Sequence, residues 1–185
     1  MKNANPLCHH RWFTTFAFAV AVLGGVCGCV RKEAHVVESA PKSVAEFFEI
    51  RVGEKSVRAQ IAVRDSEMQR GLMERQNIGA NEGMLFVYAR AQRMSFWMRN
   101  TPTPLDIGFF DRTGKLLEIY PLHPFDERGV SSTSDQLLIA LEMNQGWFAS
   151  NGVKPGAQLN LKSLSAALKA RGFKPEDFGL PLDGA

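Results

Sequence analysis

A short polar segment, residues 95–106 (SFWMRNTPTPLD), carries the side chains best suited to bind a ligand. Within it, Asn100, Thr101 and Asp106 offer an amide, a hydroxyl and a carboxylate. Two intervening prolines bias the backbone away from helical angles and stiffen it. The segment therefore predicts a rigid turn that holds three polar groups together and can form one wall of a small-molecule site.

Two further side chains complete this candidate ligand-binding set. Arg75 supplies a cation and Trp97 supplies an aromatic surface. Because Phe96 and Trp97 point to opposite faces of a strand, only one of them can line the site, and the core position is favoured for Trp97. The structural alternative is that the turn bonds to its own backbone while Asp106 caps a neighbouring segment or pairs with Arg75 or Arg99.

Asp106 and Glu142 form a second candidate site, because one begins and the other ends an apolar stretch that predicts a strand. Two carboxyl groups on facing strands can act as general acid and base in hydrolysis if they lie close together. The alternative is that each forms an ion pair with an arginine or lies exposed at a strand end. These two residues are the catalytic candidates of a hydrolase of envelope material.

The methionines suggest a third chemistry, because thioethers bind Cu(I) and Met94 and Met98 share one strand face with Phe96. Their spacing lacks the Met-x-x-Met repeat of a metal cluster, and methionine commonly fills irregular cores. Core packing is the favoured interpretation, and copper handling is the alternative. Six methionines lie in the predicted domain: Met68, Met73, Met84, Met94, Met98 and Met143.

The cysteine and histidine content excludes several catalytic schemes. All three cysteines, Cys8, Cys27 and Cys29, lie at or before residue 29, which leaves the domain no disulfide, thiolate nucleophile or cysteine zinc site. Beyond residue 29 only His35 and His123 remain, too few for a multi-histidine metal site or a serine–histidine triad. The sequence predicts no cofactor and no metal, and it favours a protein that is not an enzyme.

Residues 1–28 resemble a lipoprotein signal peptide. An apolar run at residues 12–23 follows a basic start and is too short to span a membrane. Val26 and the glycine before Cys29 fit a lipobox, so we expect lipidation of Cys29 and a flexible linker over residues 29–44. Val30 after that cysteine indicates the outer membrane, facing the periplasm. A signal peptide without lipidation is the alternative.

The formal net charge of +3 does not indicate nucleic-acid binding. Lys2 and Arg11 lie in the leader, whose removal leaves 20 basic and 19 acidic residues with no basic run. Such a chain offers phosphate backbones little attraction. The expected partners are the membrane, through the N-terminal lipid, and a small molecule, a glycan or an envelope protein.

Apolar alternation and turn residues predict the secondary structure of the mature chain. A short helix is expected to begin at Asp65 or Ser66 and to end near Gly71, and helix and strand do not alternate, which argues against parallel βαβ winding. We predict an α+β, predominantly β fold with a compact, barrel-like antiparallel or mixed sheet and about three short helices. The predicted strands cover residues 47–52, 56–63, 84–88, 94–98, 105–110, 115–122, 136–143 and 158–161.

Two parts make up the folded chain in this interpretation. Residues 45–163 form the β-rich domain, which at 45% hydrophobic content over the whole chain has enough apolar material for one core. Residues 164–185 add a short helix and a tail that docks through Phe173, Phe178 and Leu180.

Several motifs occur in an order that resembles the bacterial and archaeal family catalogued as domain of unknown function 192. The resemblance covers residues 47–162 and implies a compact, often exported β-rich domain with no established activity. Similar proteins often carry a cysteine and a tyrosine in a loop that corresponds to residues 123–135, which contain neither. The motifs are RGLM at 70–73, GMLF at 83–86, FWMRNT at 96–101, PLD at 104–106, LE at 141–142 and VKPG at 153–156.

Together these features predict a lipid-anchored cell-envelope protein whose domain binds a ligand or partner without catalysing a reaction. Hydrolysis by Asp106 and Glu142 is the first alternative, and copper handling by methionines is the second.

Overall fold

The computed structural model describes residues 40–180 and confirms a predominantly β α+β domain. The predicted helix that ends at Gly71 is present, and seven of the predicted strand regions form strands. The elements are β1 (Phe48–Val52), β2 (Lys55–Ala62), α1 (Asp65–Arg70), β3 (Glu82–Gln92), β4 (Ser95–Phe96), β5 (Leu105–Asp111), β6 (Leu116–Leu122), β7 (Val130–Ser131), β8 (Leu137–Asn144), α2 (Trp147–Ser150), α3 (Leu161–Ala170) and a 3-10 turn (Pro175–Phe178).

Six strands form a mixed sheet in the order β1-β2-β3-β8-β5-β6, and β4 pairs with β7 in a separate two-stranded ladder. Neighbours in the large sheet are antiparallel except β2 and β3, which are parallel. The expectation against parallel winding is therefore wrong at this one pair. The chain between Ala62 and Glu82 contains α1 and is long enough for the crossover that parallel strands require.

One short segment makes the open sheet barrel-like at one end. The predicted strand near residue 158 is instead a bridging segment that bonds to both sheet edges. Gly53, just after β1, donates its N–H to the Gln158 carbonyl at 2.8 Å, and Leu159 donates to the Gly114 carbonyl, just before β6, at 2.8 Å. The two edges are thus joined through a third segment rather than directly to each other.

The sheet has two buried faces. One face packs against α2, α3 and the C-terminal tail, with Leu85, Leu141 and Phe148 among its fully buried residues. The other face, which we call the aromatic face, carries Phe86 and Phe109 and is covered by residues 94–98 and by the turn after α1. Because side chains alternate along a strand, neighbouring residues of β8 belong to opposite faces.

Gly83 of the GMLF motif permits the close approach of β3 and β8. A methyl group at this position would collide with the main-chain carbonyl of Glu142 and crowd the sulfur of Met143. Its φ angle does not require glycine, so the requirement is one of space. The motif therefore positions the strand that carries Glu142.

The domain begins slightly before the predicted boundary at residue 45, because Lys42 donates its N–H to the Ala170 carbonyl at 2.8 Å. At the other end, α3 is followed by a tail in which Phe178 and Leu180 are buried. The predicted signal peptide, Cys29 and most of the linker lie outside the described residues. Within residues 40–180, no helix is both long and apolar enough to cross a bilayer.

Candidate functional site

A small cavity lies where three parts of the chain meet: α1 with its following turn, the segment around β4, and β8. Its volume is about 30 Å³. Since one water molecule needs about 10–15 Å³ of such space, the cavity admits about two small groups. Its lining residues are Met68, Gln69, Arg70, Gly71, Leu72, Met73, Phe86, Phe96, Trp97, Thr101 and Glu142.

Glu142 contributes a buried carboxyl group to this cavity. On β8 it pairs with Met84 of β3 and with Ile107 of β5, which places its side chain on the aromatic face. The residue is only 4% exposed. No hydrogen bond or ion pair from the described residues 40–180 satisfies its carboxyl group. In residues 40–180 the fully buried polar side-chain atoms without a partner are Gln60 Oε1 and Arg171 Nε, so the Glu142 carboxyl group keeps contact with the space of the cavity. A carboxyl group so poor in partners is costly to bury and is a candidate for contact with a ligand.

Burial raises the pKa of Glu142 to about 8. The side chain is therefore mostly a neutral carboxylic acid at neutral pH, able to donate as well as accept a hydrogen bond. The pKa of Tyr88, on the adjacent strand β3, is raised first by burial and then by the charge that Glu142 carries when ionised. The apolar surroundings of Glu142 thus also affect the pKa of Tyr88.

Thr101 adds a buried hydroxyl group to the wall of the cavity. Thr101 is 4% exposed. Its hydroxyl group donates to the Arg99 carbonyl at 3.1 Å, so the hydroxyl oxygen can still accept a hydrogen bond. Its amide donates to the Met98 carbonyl at 3.1 Å and its own carbonyl accepts from Phe125 at 3.2 Å. The turn predicted to be rigid is held on both sides.

Trp97 lies at the rim, 44% exposed, so the prediction that favoured it for the core is wrong. Phe96 takes the core position instead and packs edge-to-face against Phe86 and at a tilt against Phe109, at centroid distances of 5.0 and 5.8 Å. The apolar set at alternate positions 94, 96 and 98 is the sequence signal that assigns Phe96 to the core. Arg99 lies 5.5 Å from the centre of the Trp97 ring.

Three residues with strained backbones do not line the cavity but adjoin residues that do, in the chain or through a hydrogen bond. Glu74, Asn100 and Phe125 are the non-glycine residues of the described chain with positive φ, at 63°, 52° and 59°. Glu74 donates its N–H to the Asn100 carbonyl at 2.7 Å, and Phe125 bonds to Thr101. Such conformations cost about 1–3 kcal/mol each and cluster at functional sites. Their convergence here supports a functional role for the cavity.

Three predicted ligand-binding residues do not line the cavity. Asn100 is exposed, and the main-chain carbonyl of Arg75 accepts a 2.6 Å hydrogen bond from Thr103. Burial and then the charge of Arg70 lower the pKa of Arg75, whose side chain remains half-buried outside the cavity. Of the five predicted ligand-binding residues, only Trp97 and Thr101 line the cavity.

Asp106 caps a neighbouring segment, which was the structural alternative to a role in a ligand-binding site. Its carboxylate accepts a 2.7 Å hydrogen bond from the Gly146 amide at the start of α2. Asp106 pairs with Met143, whereas Glu142 pairs with Ile107, so the two carboxyl groups point to opposite faces of the sheet. The structure therefore does not bring together the acid and base that hydrolysis by this pair requires.

The methionines are divided between the two faces. Met68 and Met73 line the cavity, Met84, Met94 and Met98 are buried in the aromatic face, and Met143 belongs to the opposite face. In residues 40–180, no three histidine, cysteine, aspartate or glutamate side chains lie close enough to hold a metal ion. The burial of the methionines fits core packing, and copper binding stays an untested prediction.

Sequence reasoning missed two features of this site. Glu142 was considered only as the partner of Asp106, although a carboxylate inside the apolar run 137–143 already signals an unusual environment. The RGLM motif at 70–73 serves in the sequence only as a family marker, but all four of its residues line the cavity.

The fold and the cavity define the chain as a predominantly β α+β domain with one unpartnered carboxyl group at a small cavity. The family model described as DUF192, Uncharacterized ACR, matches residues 48–161. The chain belongs to this family, which confirms the resemblance found in its motifs. Among curated proteins, none matches the chain.

Solved structures that are similar to this chain include the following two. A protein of unknown function from Novosphingobium aromaticivorans DSM 12444 has a TM-score of 0.60 and 31% identity, with 65% of this chain and 91% of that chain covered. A proposed transcription regulator from Sinorhizobium meliloti 1021 has a TM-score of 0.59 and 26% identity, with 66% and 96% covered. Both span little beyond the shared domain.

Proposed function

We propose that the protein is a lipid-anchored binding module of the cell envelope, and that its cavity receives the end of a small molecule, a glycan or a protein side chain. The observation that carries this proposal is Glu142, a buried carboxyl group without a hydrogen-bond partner that lines an open cavity. A ligand group that bonds to this carboxyl would offset the cost of burying it.

The size of the cavity limits how the ligand binds. A space for about two small groups holds only the tip of a ligand, so the remainder lies across the rim. The exposed aromatic residues Trp97 and Phe125, 44% and 64% exposed, stand on the two segments joined at Thr101. Aromatic surfaces of this kind supply contact area at a binding site.

Binding is favoured over hydrolysis because Glu142 lacks a second catalytic group. Asp106, its proposed partner, is on the opposite face and already bonds to Gly146. A lone buried acid can bind and orient a ligand, but general acid and base catalysis of hydrolysis uses a second group to activate water.

A ligand screen against the full chain tests this function. Met68 and Met73 line the cavity, so methyl-13C methionine labelling of the protein in detergent micelles reports its occupancy. We expect at least one class among amines, carboxylic acids, sugars and amino acids to shift both signals. Glu142→Gln and Thr101→Val should each weaken that binding about tenfold, because a charge-assisted or buried hydrogen bond is lost.

The matched control for Glu142→Gln is Glu54→Gln, whose side chain is 95% exposed in the first hairpin. This control should bind like the native chain. If no compound in the screen shifts the two methyl signals, or if Glu142→Gln binds as the native chain does, the cavity is not the binding site that we propose.

Anchoring through Cys29 is a separate expectation with its own test. Cys29→Ser removes the thiol that would carry the lipid, so the protein should move from the membrane fraction to the soluble fraction and incorporate no labelled fatty acid. Cys27→Ser is the control and should leave both properties unchanged. A membrane fraction unaffected by Cys29→Ser would contradict the lipobox interpretation.

A further inference from the structure

We propose that the group bound in this cavity is a primary ammonium, the end of an alkylamine or of a lysine-like side chain. This inference rests on the proposed binding function and specifies its ligand class. It is carried by the acceptor groups, the aromatic walls and the small volume of the cavity.

The cavity offers hydrogen-bond acceptors to an ammonium group. Glu142, which carries a carboxyl group, and Thr101, which carries a hydroxyl group, both line it. So do Met68 and Gln69 at the C-terminal end of α1, whose main-chain carbonyls accept no hydrogen bond within the described residues 40–180. Carbonyl groups at a helix C-terminus carry partial negative charge and favour cations. An ammonium group has three donors and no acceptor, which suits this set.

The apolar walls also suit a cation. Phe86, Phe96 and Trp97 line the cavity, and the faces of aromatic rings attract ammonium groups. The cations already at the rim are engaged elsewhere. Arg70 bonds to Glu74 at 3.1 Å with its side chain 73% exposed, and Arg99 stacks against Trp97 at 5.5 Å. Their exposure to solvent reduces their repulsion of a bound cation.

The volume separates a primary ammonium from bulkier cations. A cavity of about 30 Å³ accepts the nitrogen and its adjoining methylene but has no room for three additional methyl groups. We therefore expect n-butylamine to bind and tetramethylammonium not to bind, although both carry one positive charge.

Ammonium binding requires ionised Glu142, which makes the affinity depend on pH. The charged or titratable groups that face Glu142 from neighbouring elements are Tyr88 on β3, Arg70 of the cavity lining on α1 and, beyond Ile107 of β5, Tyr120 on β6. Burial raises the pKa of Tyr88, and its hydrogen bond to Glu118 raises the pKa of Tyr120, so neither tyrosine loses a proton between pH 6 and 8. Because the pKa of Glu142 is about 8, the affinity should rise about tenfold from pH 6 to 7 and about fivefold from pH 7 to 8.

The experiment titrates the methionine-labelled full chain with n-butylamine, n-butanol, butyrate and tetramethylammonium at pH 6, 7 and 8. We expect n-butylamine to bind best, with the pH dependence above, and Glu142→Gln to abolish that dependence and weaken binding at pH 8 at least tenfold. Glu54→Gln should behave as the native chain.

Two outcomes contradict the inference in distinguishable ways. If n-butanol or butyrate binds more tightly than the amine, or if affinity falls as the pH rises, the cavity binds a ligand through the neutral acid and only the ammonium assignment is wrong. If none of the four probes shifts the Met68 and Met73 methyl signals, the ammonium assignment is wrong, and the wider screen decides whether the cavity binds anything.

Discussion

Between pH 5 and pH 8, the free energy of unfolding of the native chain is expected to decrease by several kcal/mol, whereas that of Glu142→Gln should change much less. The folded pKa of Glu142 is about 8, against an ordinary value of 4.5. Between these values the folded state holds a proton that the unfolded state has lost, so stability falls as pH rises. At 1.36 kcal/mol per pH unit, the full shift corresponds to about 5 kcal/mol.

Urea unfolding monitored at each pH by the fluorescence of the buried Trp147 measures this effect. Glutamine keeps the shape of the side chain but has no proton to lose, so the variant should be the more stable protein at pH 8. Glu54→Gln controls for the loss of a carboxylate at an exposed position. Equal pH dependence in the native chain and in Glu142→Gln would show that the carboxyl group is solvated or paired in solution.

The same reasoning explains why Glu142 points to function. A leucine or glutamine at this position would serve the fold better at neutral and basic pH, because nothing in the described structure bonds to the carboxyl group. Residues that oppose folding in this way are typical of sites that bind or react. The strained residues Glu74, Asn100 and Phe125 have the same character and lie next to the same cavity.

Strand positions were predictable because the hydrophobic effect acts on local patterns. Apolar side chains at alternate positions identified the hairpins β1–β2 and β5–β6. The order of strands in the sheet was not predictable in this way. The parallel pairing of β2 with β3 depends on contacts between residues far apart in the sequence, which alternation does not specify.

The candidate site shows the same limit. Thr101 and Trp97, which were chosen for their residue types, line the cavity, whereas Asp106 and Glu142 lie on opposite faces of the sheet. Two strand-end carboxylates face each other only in a register that puts both on one face, and a shift of one residue places them on opposite faces. The registry of β5 with β8 therefore decides the chemistry, and it follows from tertiary packing.

The loop of residues 123–135 has a supporting role although it lacks the cysteine and tyrosine often found in similar proteins. Phe125 donates to the Thr101 carbonyl, Asp126 accepts from the Met98 amide at 2.8 Å, and Val130 pairs with Phe96. These are main-chain contacts, which do not depend on side-chain identity. The loop can thus hold the cavity wall without the side chains that it lacks.

Glu67→Gln is expected to destabilise the domain by about 3–5 kcal/mol, because it leaves a buried guanidinium group without its counter-charge. Arg171 is 1% exposed and donates to the Glu67 carboxylate at 2.6 Å and to the Ile61 carbonyl at 2.8 Å. Burial alone would raise the pKa of Glu67, but hydrogen bonds from the Val63 and Arg64 amides and from the two arginines lower it to about 2.

The lowered pKa gives this carboxylate a pH window opposite to that of Glu142. Its contribution is present above the ordinary value of 4.5 and is lost as the pH falls toward 2. Glu67→Gln should therefore lose most stability relative to the native chain above pH 4.5, and the difference should narrow in acid. Glu74→Gln, which disturbs only an exposed pair with Arg70, is the control and should cost about 0–1 kcal/mol.

Glu67 lies on α1, which contributes to the cavity wall, and Arg171 lies beyond the family match at residues 48–161. Their ion pair therefore connects the C-terminal part of the chain to an element of the cavity. In the double variant Glu67→Gln, Arg171→Met, the unpaired charge is absent, so part of the loss should be recovered. Hydrogen exchange in α1 should accelerate in Glu67→Gln more than in the double variant. A double variant less stable than Glu67→Gln would mean that the apolar stem of Arg171, rather than its charge, holds α1 in place.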